Sequence, residues 1–395
     1  MAYIAHQWAQ FNNWQMGALT VDHGLRQESF AEACQVNQWM MERGIPHQTL
    51  IWAPPQNLKN IQDQARIARH NLLHKWCQSQ DVPYLLLGHT QDDQYETIVM
   101  RLCHHSGALG LAGIPAKRVH QNVSILRPLF GVSKQKILQY MSSRGLPWIE
   151  DPSNQKDIYT RVRIRNTKSS LEGSGLYKKT VLALGRKVGA LRQAEEEKAL
   201  AWCKTYVKVY QEGYLCLAFQ PFLALSVLSQ EIVFSSLLKL ISGDIYNPEY
   251  GTLERSLARI RGGAFKPFTC HGCLIDLKKL DVFIYREERQ IPDLPLEGDQ
   301  TLHWDNRFLI EFEGGPKKSE LTLRSLRGDW VELKKTTGIK SLPYPVRRTI
   351  PSIWQKEKLI LVPHLDYVNK KTKCMRWKVR FLPTLEFFHS RFIID

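Results

Sequence analysis

The apolar run Tyr84-Leu85-Leu86-Leu87 stops at Gly88, and the polar string His89-Thr90-Gln91-Asp92-Asp93-Gln94-Tyr95-Glu96-Thr97 follows at once. A short apolar run that ends at glycine reads as a buried strand of a parallel sheet, with the polar string at its C-terminal end. In open α/β sheets that end is where ligands bind. If the string is helical, Asp92, Asp93 and Glu96 lie three, four and seven residues beyond His89 and share one face with it. One imidazole and two or three carboxylates packed that closely need a cation: a metal, an arginine or a basic substrate. The same acids would also suit a solvated helix start, where negative charge complements the helix dipole.

The neighbouring segments alternate in the way that a layered α/β domain requires. Residues 2–14 carry Tyr3, Ile4, Trp8 and Phe11 at helical spacing. A short strand over 17–21 ends in Asp22-His23-Gly24-Leu25-Arg26, and a helix from Ser29 is stopped by Gly44 and Pro46. A longer helix over 57–80 carries Arg66 and Arg69 three apart, hence on one face. Ser133 is placed to cap a helix over 134–144 that Gly145 and Pro147 end. Strands alternating with helices imply a doubly wound, mostly parallel sheet.

Beyond residue 160 the pattern and the charge both change. Residues 1–160 hold 14 Lys and Arg against 12 Asp and Glu, whereas the rest hold 40 against 26, which accounts for most of the net charge of +16. A nearly neutral α/β region joined to a strongly basic second half suggests a catalytic domain with a nucleic-acid-gripping partner. In Arg161-Val162-Arg163-Ile164-Arg165 an extended backbone would aim three guanidinium groups at one side, suited to phosphate. Residues 166–175 read as a linker. A basic amphipathic helix follows, with Val181, Leu184, Val188 and Leu191 on one face and Lys178, Lys179, Arg186, Lys187 and Arg192 supplying charge. From about residue 268 the chain is strand-rich, with Trp304, Phe308 and Phe312 as core candidates. The expected division is a catalytic domain over 1–165, a helical nucleic-acid-contacting domain over 176–265 and a smaller mixed domain over 268–395.

Eight scattered cysteines suggest reduced thiols rather than a disulfide framework. Cys270-His271-Gly272-Cys273 lacks a second pair at zinc spacing and reads as small-residue packing. No apolar stretch approaches the roughly 18 residues of a membrane span. MAYIAHQWAQ has neither the basic nor the apolar region of a signal peptide, so a cytoplasmic location is expected.

Several segments together resemble the tRNA(Ile)-lysidine synthetases, members of the N-type ATP pyrophosphatase group. In order they are Val21-Asp22-His23-Gly24-Leu25-Arg26, Ala65-Arg66-x-x-Arg69, Gly88-His89-x-x-Asp92-Asp93-x-x-Glu96-Thr97, Met100-Arg101-Leu102, the 107–113 stretch GALGLAG, Arg127-Pro128-Leu129, Glu150-Asp151-Pro152-Ser153-Asn154 and Arg161-x-Arg163-x-Arg165. Trp304-Asp305-x-Arg307-Phe308 and Val362-Pro363-His364 match the C-terminal parts of such enzymes more loosely. The resemblance implies an adenine nucleotide alpha-hydrolase-like fold. It also implies an ATP-dependent ligase that adenylates the wobble cytidine of a tRNA(Ile) with a CAU anticodon and joins free L-lysine to C2. By the same resemblance His89, Asp92 and Arg66 are catalytic, Asp22, His23, Arg161, Arg163 and Arg165 bind nucleotide, Asp93 and Glu96 bind lysine, and Asp92 helps hold Mg²⁺ on ATP.

One departure matters. The family opens with a strand ending in a Ser-Gly-Gly-x-Asp-Ser loop whose amides cradle pyrophosphate, and no such string occurs here. Met1 falls where that loop would have just ended, so the sequence reads as shortened by about one strand and one loop. The alternatives are a tRNA-binding protein made inert by that loss and a related tRNA-thiolating enzyme. The latter would need catalytic cysteine pairs, whereas Cys34, Cys77 and Cys103 stand apart.

Overall fold

The structure is a computed structural model. It describes the chain except residues 27, 55–60, 105–106, 121–122, 151–159, 174, 245, 264–265, 314–320, 334–337, 370–375, 384–389 and 393–395, and the side chains of 62, 63, 108, 120, 160–162, 168–170, 332 and 390. Two compact units result, Met1–Gln193 with His389–Asp395, and Ala194–Phe388. This partition differs from the three domains drawn from composition. The helical and strand-rich parts form one unit, and the first boundary falls inside a helix.

In the first unit the elements run α1 (Ala2–Phe11), β1 (Ala18–Asp22), α2 (Ser29–Met41), β2 (His47–Ile51), α3 (Ile61–Ser79), β3 (Tyr84–Leu86), α4 (Gln91–Cys103), α5 (Ala108–Leu111), β4 (Lys117–His120), β5 (Val123–Leu126), α6 (Lys134–Ser143), α7 (Thr160–Asn166), α8 (Lys168–Gly173) and the start of α9 (Lys178–Tyr206). β1 pairs with β2 in parallel, and β3 with β5 in parallel, as the alternating pattern requires. β4 then returns antiparallel on β5. The sheet is in two pieces, β1-β2 and a four-stranded one that begins at β3. Both pieces pack on one cluster, in which Leu73 and Cys77 of α3 meet Leu85, Val123 and Ile125, with Leu19, Val21 and Leu50 against them. α3 thus covers both pieces and sets their strand ends on the same side.

Two local expectations fail for one physical reason. The Arg161–Arg165 stretch is helical as α7, not extended, and part of the expected linker forms α8. Ile164 is buried in a cluster with Tyr95, Ile98 and Val99 of α4 and Val181 of α9. That packing overrides the alternating pattern of the arginines. A helix turns about 200° over two residues, so the expected one-sided comb cannot form. The expected apolar face of α9 also shifts. Val181 is buried, but Leu184 and Leu191 are exposed. The buried side runs through Gly185 and Gly189 instead. A Cβ at Gly185 would strike Ile98, and one at Gly189 would lie 2.6 Å from the Cβ of Phe392.

The second unit contains β6 (Val207–Tyr210), β7 (Tyr214–Ala218), α10 (Phe219–Leu223), α11 (Val227–Ser242), α12 (Tyr250–Arg261), β8 (Phe268–Cys270), β9 (Cys273–Lys278), β10 (Asp281–Arg286), β11 (Leu294–Leu296), β12 (Gln300–Trp304), β13 (Phe308–Glu313), β14 (Leu321–Ser325), α13 (Tyr344–Thr349), β15 (Pro351–Gln355), β16 (Lys358–Val362), β17 (Tyr367–Val368) and β18 (Arg376–Phe381). β19 (Ser390–Arg391) belongs to the first unit. Trp304, Phe308 and Phe312 are fully buried, as their spacing suggested. Cys270 and Cys273 face one another across a tight turn in which His271 and Gly272 both take positive φ. That is the chemistry of a two-residue hairpin. The Trp304–Phe308 segment makes a turn that buries Arg307 completely. Asp305 accepts from Arg307 Nε at 2.8 Å and from Arg286 NH2 at 3.0 Å. His364 lies edge-on to Phe308, with ring centroids 5.5 Å apart.

Candidate active site

The site lies where β1, β3 and β5 end. Thr90 caps α4, and its hydroxyl accepts from the Asp93 N–H, while Asp93 Oδ2 accepts from the Thr90 N–H at 2.7 Å. This reciprocal cap satisfies two otherwise orphaned donors and fixes how α4 leaves the sheet. The chain after β5 delivers Arg127, whose guanidinium is buried. Its Nε donates to His89 Nδ1 at 3.3 Å and its NH1 to the Pro115 carbonyl at 2.8 Å. β1 ends at Asp22, a buried residue whose Oδ1 accepts from the Gly24 N–H at 2.9 Å. His23 stands edge-on to Trp52. Its buried Nδ1 has no hydrogen-bond partner among the described residues.

The electrostatics are dominated by arginine. Burial, then Arg127, lowers the His89 pKa to about 4, and Asp93 opposes the shift. Burial, then Arg69, Arg66 and Arg127, takes His70 down to about 3. Arg127 itself is brought down to about 10 by burial and by Arg118 and Arg66. His23 is lowered by burial and by Arg69. Both His70 and His89 are therefore neutral near pH 7, and the positive charge resides on the guanidinium groups. Such a cluster at strand ends presents guanidinium groups of the kind that pair with phosphate oxygens.

The carboxylates meet different fates. Asp92 Oδ2 accepts from the Lys134 N–H at the start of α6 at 2.7 Å, and Asp92 Oδ1 from Lys178 Nζ at 2.6 Å. Glu96 is buried, and its Oε1 accepts from Arg165 Nε at 2.9 Å and NH2 at 2.8 Å. Of the cations the sequence left open, an arginine answers Glu96, whereas Asp92 is answered by a lysine side chain that the reading did not offer. Among the described residues, no group of three or more His, Cys, Asp or Glu could hold a metal ion. The structure brings His89, Asp93, Arg66, Asp22 and His23 together at these strand ends. Arg163 is exposed on α7 and Arg165 turns to Glu96. The side chain of Arg161 and residues 151–154 lie outside the described residues. Arg127 and His70 were missed as site residues. His70 follows Arg66 by four positions, so the helical spacing that paired Arg66 with Arg69 also reached it.

The half-buried histidines give a measurable pH effect. In the unfolded chain each imidazole takes a proton near its ordinary value of 6.5, but folded His89 and His70 resist until about 4 and about 3. Below about pH 6.5 the unfolded state binds more protons, so stability falls as pH drops toward 4. Thermal melts between pH 7.5 and 4.5 should show that decline, and the His70→Gln/His89→Gln double variant should flatten it. An unchanged slope would remove these two residues from the explanation.

Arginines and histidines that are neutral near pH 7 gather at the strand ends of this α/β domain. A family model described as a PP-loop domain matches residues 1–169. Relatives match along nearly the whole chain. The tRNA(Ile)-lysidine synthase of Rickettsia bellii strain RML369-C is 30% identical over 405 residues, covering 99% of this chain and 91% of the relative. That of Ruegeria pomeroyi is 30% identical over 353 residues, covering 89% and 82%, and that of Rickettsia akari is 28% identical, covering 99% and 91%. The chain belongs to the tRNA(Ile)-lysidine synthase family, ATP-dependent ligases built on a PP-loop domain. No helix among the described residues is long and apolar enough to cross a membrane.

Proposed function

We propose that this chain ligates free L-lysine to C2 of the wobble cytidine of a tRNA(Ile) with a CAU anticodon. The C2 oxygen attacks the α-phosphorus of ATP, forming a C2–O–AMP bond and releasing pyrophosphate. The lysine ε-amine then attacks C2, a C–N bond forms, the C–O bond breaks and AMP leaves, with the amine proton passing to solvent or a nearby base. The observation that carries this reading is the pairing of two charge classes on adjoining elements. Arg66, Arg69 and Arg127 suit the phosphates, while Asp93 and Glu96 on one face of α4 suit an ammonium group. Arg66 stabilises charge developing on phosphate. Neutral His89, held by Arg127, can donate through its other ring nitrogen to nucleotide or base. Asp22 and His23 line the nucleotide side, the latter with an unused buried nitrogen. Arg163 is proposed for nucleotide phosphate, and Arg161 by its place in the motif. Arg165 acts on Glu96, and a bound lysine must share that carboxylate with it. Asp92 sets the start of α4 against α6 and α9. Mg²⁺, when bound, would screen the triphosphate, held chiefly by ATP oxygens and water.

Nucleoside mass spectrometry of tRNA(Ile) incubated with ATP and lysine tests this. Lysidine should form only when tRNA(Ile), ATP and lysine are all present, because the ligation needs both the activating nucleotide and the amine. No lysidine with all three present would defeat the proposal.

A further inference from the structure

The last described residues of the chain return to the first unit. β19 pairs antiparallel with β4, Ser390 opposite Arg118 and Arg391 opposite Lys117. Two residues of pairing are too few to hold a strand by themselves. What secures them is Phe392, which is 7% exposed. Its ring carbons sit over Gly189 of α9, the Cγ 3.1 Å from where a Cβ would stand, so only glycine leaves the seat open. The Arg192 guanidinium lies over the same ring, 4.9 Å from its centroid. Its NH1 donates to the Leu109 carbonyl at 2.9 Å.

Leu109 lies in α5, a four-residue helix in which the Gly110 carbonyl accepts from the Gly113 N–H at 3.1 Å. Side chains supply further donors. Arg101 NH1 donates to the carbonyls of Gly110 at 2.7 Å and Gly113 at 2.6 Å, and Arg192 takes Leu109. Gln94 pins the next residue, Ile114, by both its N–H and its carbonyl. Gln94 and Arg101 come from α4, the helix that carries the site carboxylates. Arg192 is the peg that comes from elsewhere, and the C-terminal ring orients it.

We propose that residues 390–392 form a detachable latch: a strand that docks on the free edge of β4, seats Phe392 at Gly189, and through Arg192 holds the 107–113 segment in place. The latch joins the chain's C-terminal end to a segment packed on the helix of the active site.

Hydrogen-exchange mass spectrometry on the full chain tests it. Phe392→Ala and Gly189→Ala undock the tail in independent ways. Both should accelerate exchange by about tenfold or more in peptides covering 117–120 and 109–113, leaving α2 and β2 unchanged. Arg192→Met should accelerate 109–113 alone, because the tail keeps its seat. Phe392→Tyr should restore the protection lost in Phe392→Ala. Unchanged exchange over 117–120 in Phe392→Ala would show that the ring does not hold the strand. Fast exchange over 117–120 with 109–113 unaltered would show that the tail is docked but not coupled. If Gly189→Ala fails to fold, Phe392→Ala and Arg192→Met decide between these outcomes.

Discussion

Glu96→Gln should raise the KM for lysine about a hundredfold while changing that for ATP less than about threefold. The substitution keeps shape and removes one charge. A charge-assisted hydrogen bond to a buried group contributes up to about 3 kcal/mol, which corresponds to that factor in binding. Glu96 is 3% exposed, so solvent screens the interaction weakly. Arg165 holds Glu96 from α7, and its loss is a useful contrast. Arg165→Met leaves the carboxylate for lysine alone, so its lysine KM should move in the opposite direction or stay constant. Steady-state kinetics with lysine and ATP varied in turn would distinguish these cases. Equal changes in both KM values for Glu96→Gln would point to a collapsed pocket and remove Glu96 from lysine binding.

Asp305→Ala should destabilise the second unit by about 3–5 kcal/mol, the usual cost of stripping one partner from a buried ion pair. Asp305 answers two guanidinium groups, Arg286 at 7% exposure and Arg307 at 0%. Burial already lowers the pKa of Arg307, a sign that its charge is held at a cost. Denaturant unfolding followed by tryptophan fluorescence would register the loss through Trp304, which adjoins the triad and is itself buried. A change below about 1 kcal/mol would mean that water reaches the site and screens it.

The sequence spoke most clearly where a chemical punctuation mark coincided with a change of period. Gly88 after the apolar run marked the end of β3, whereas the Thr90–Asp93 cap of α4 went unread. Ser133 likewise marked α6, and its side chain does accept from the Lys136 N–H. The arginine stretch misled because its period of two belongs to the charges, whereas Ile164 decides the backbone by packing on α4. The buried face of α9 misled for the opposite reason. Apolar spacing pointed to Leu184 and Leu191, but two glycines four apart allow a closer approach than any leucine. At the site, residue types were legible and partners were not. Asp93 is answered by the adjacent Thr90, but Asp92 and Glu96 are answered from α6, α7 and α9, and pairings across tens of residues leave no trace in local pattern.

That distribution has a consequence for how relatives of this chain should vary. Asp92 and Lys178 are 86 positions apart and meet at 2.6 Å. Neither can drift alone without stranding a charge against the start of α4. A lineage that loses one is expected to lose or invert the other, and a failed variant at 178 should find its suppressor at 92. The start of α4 thus acts as a shared address. Substitutions in α6, α7 or α9, remote from the active site in sequence, will be inherited as though they were substitutions in it.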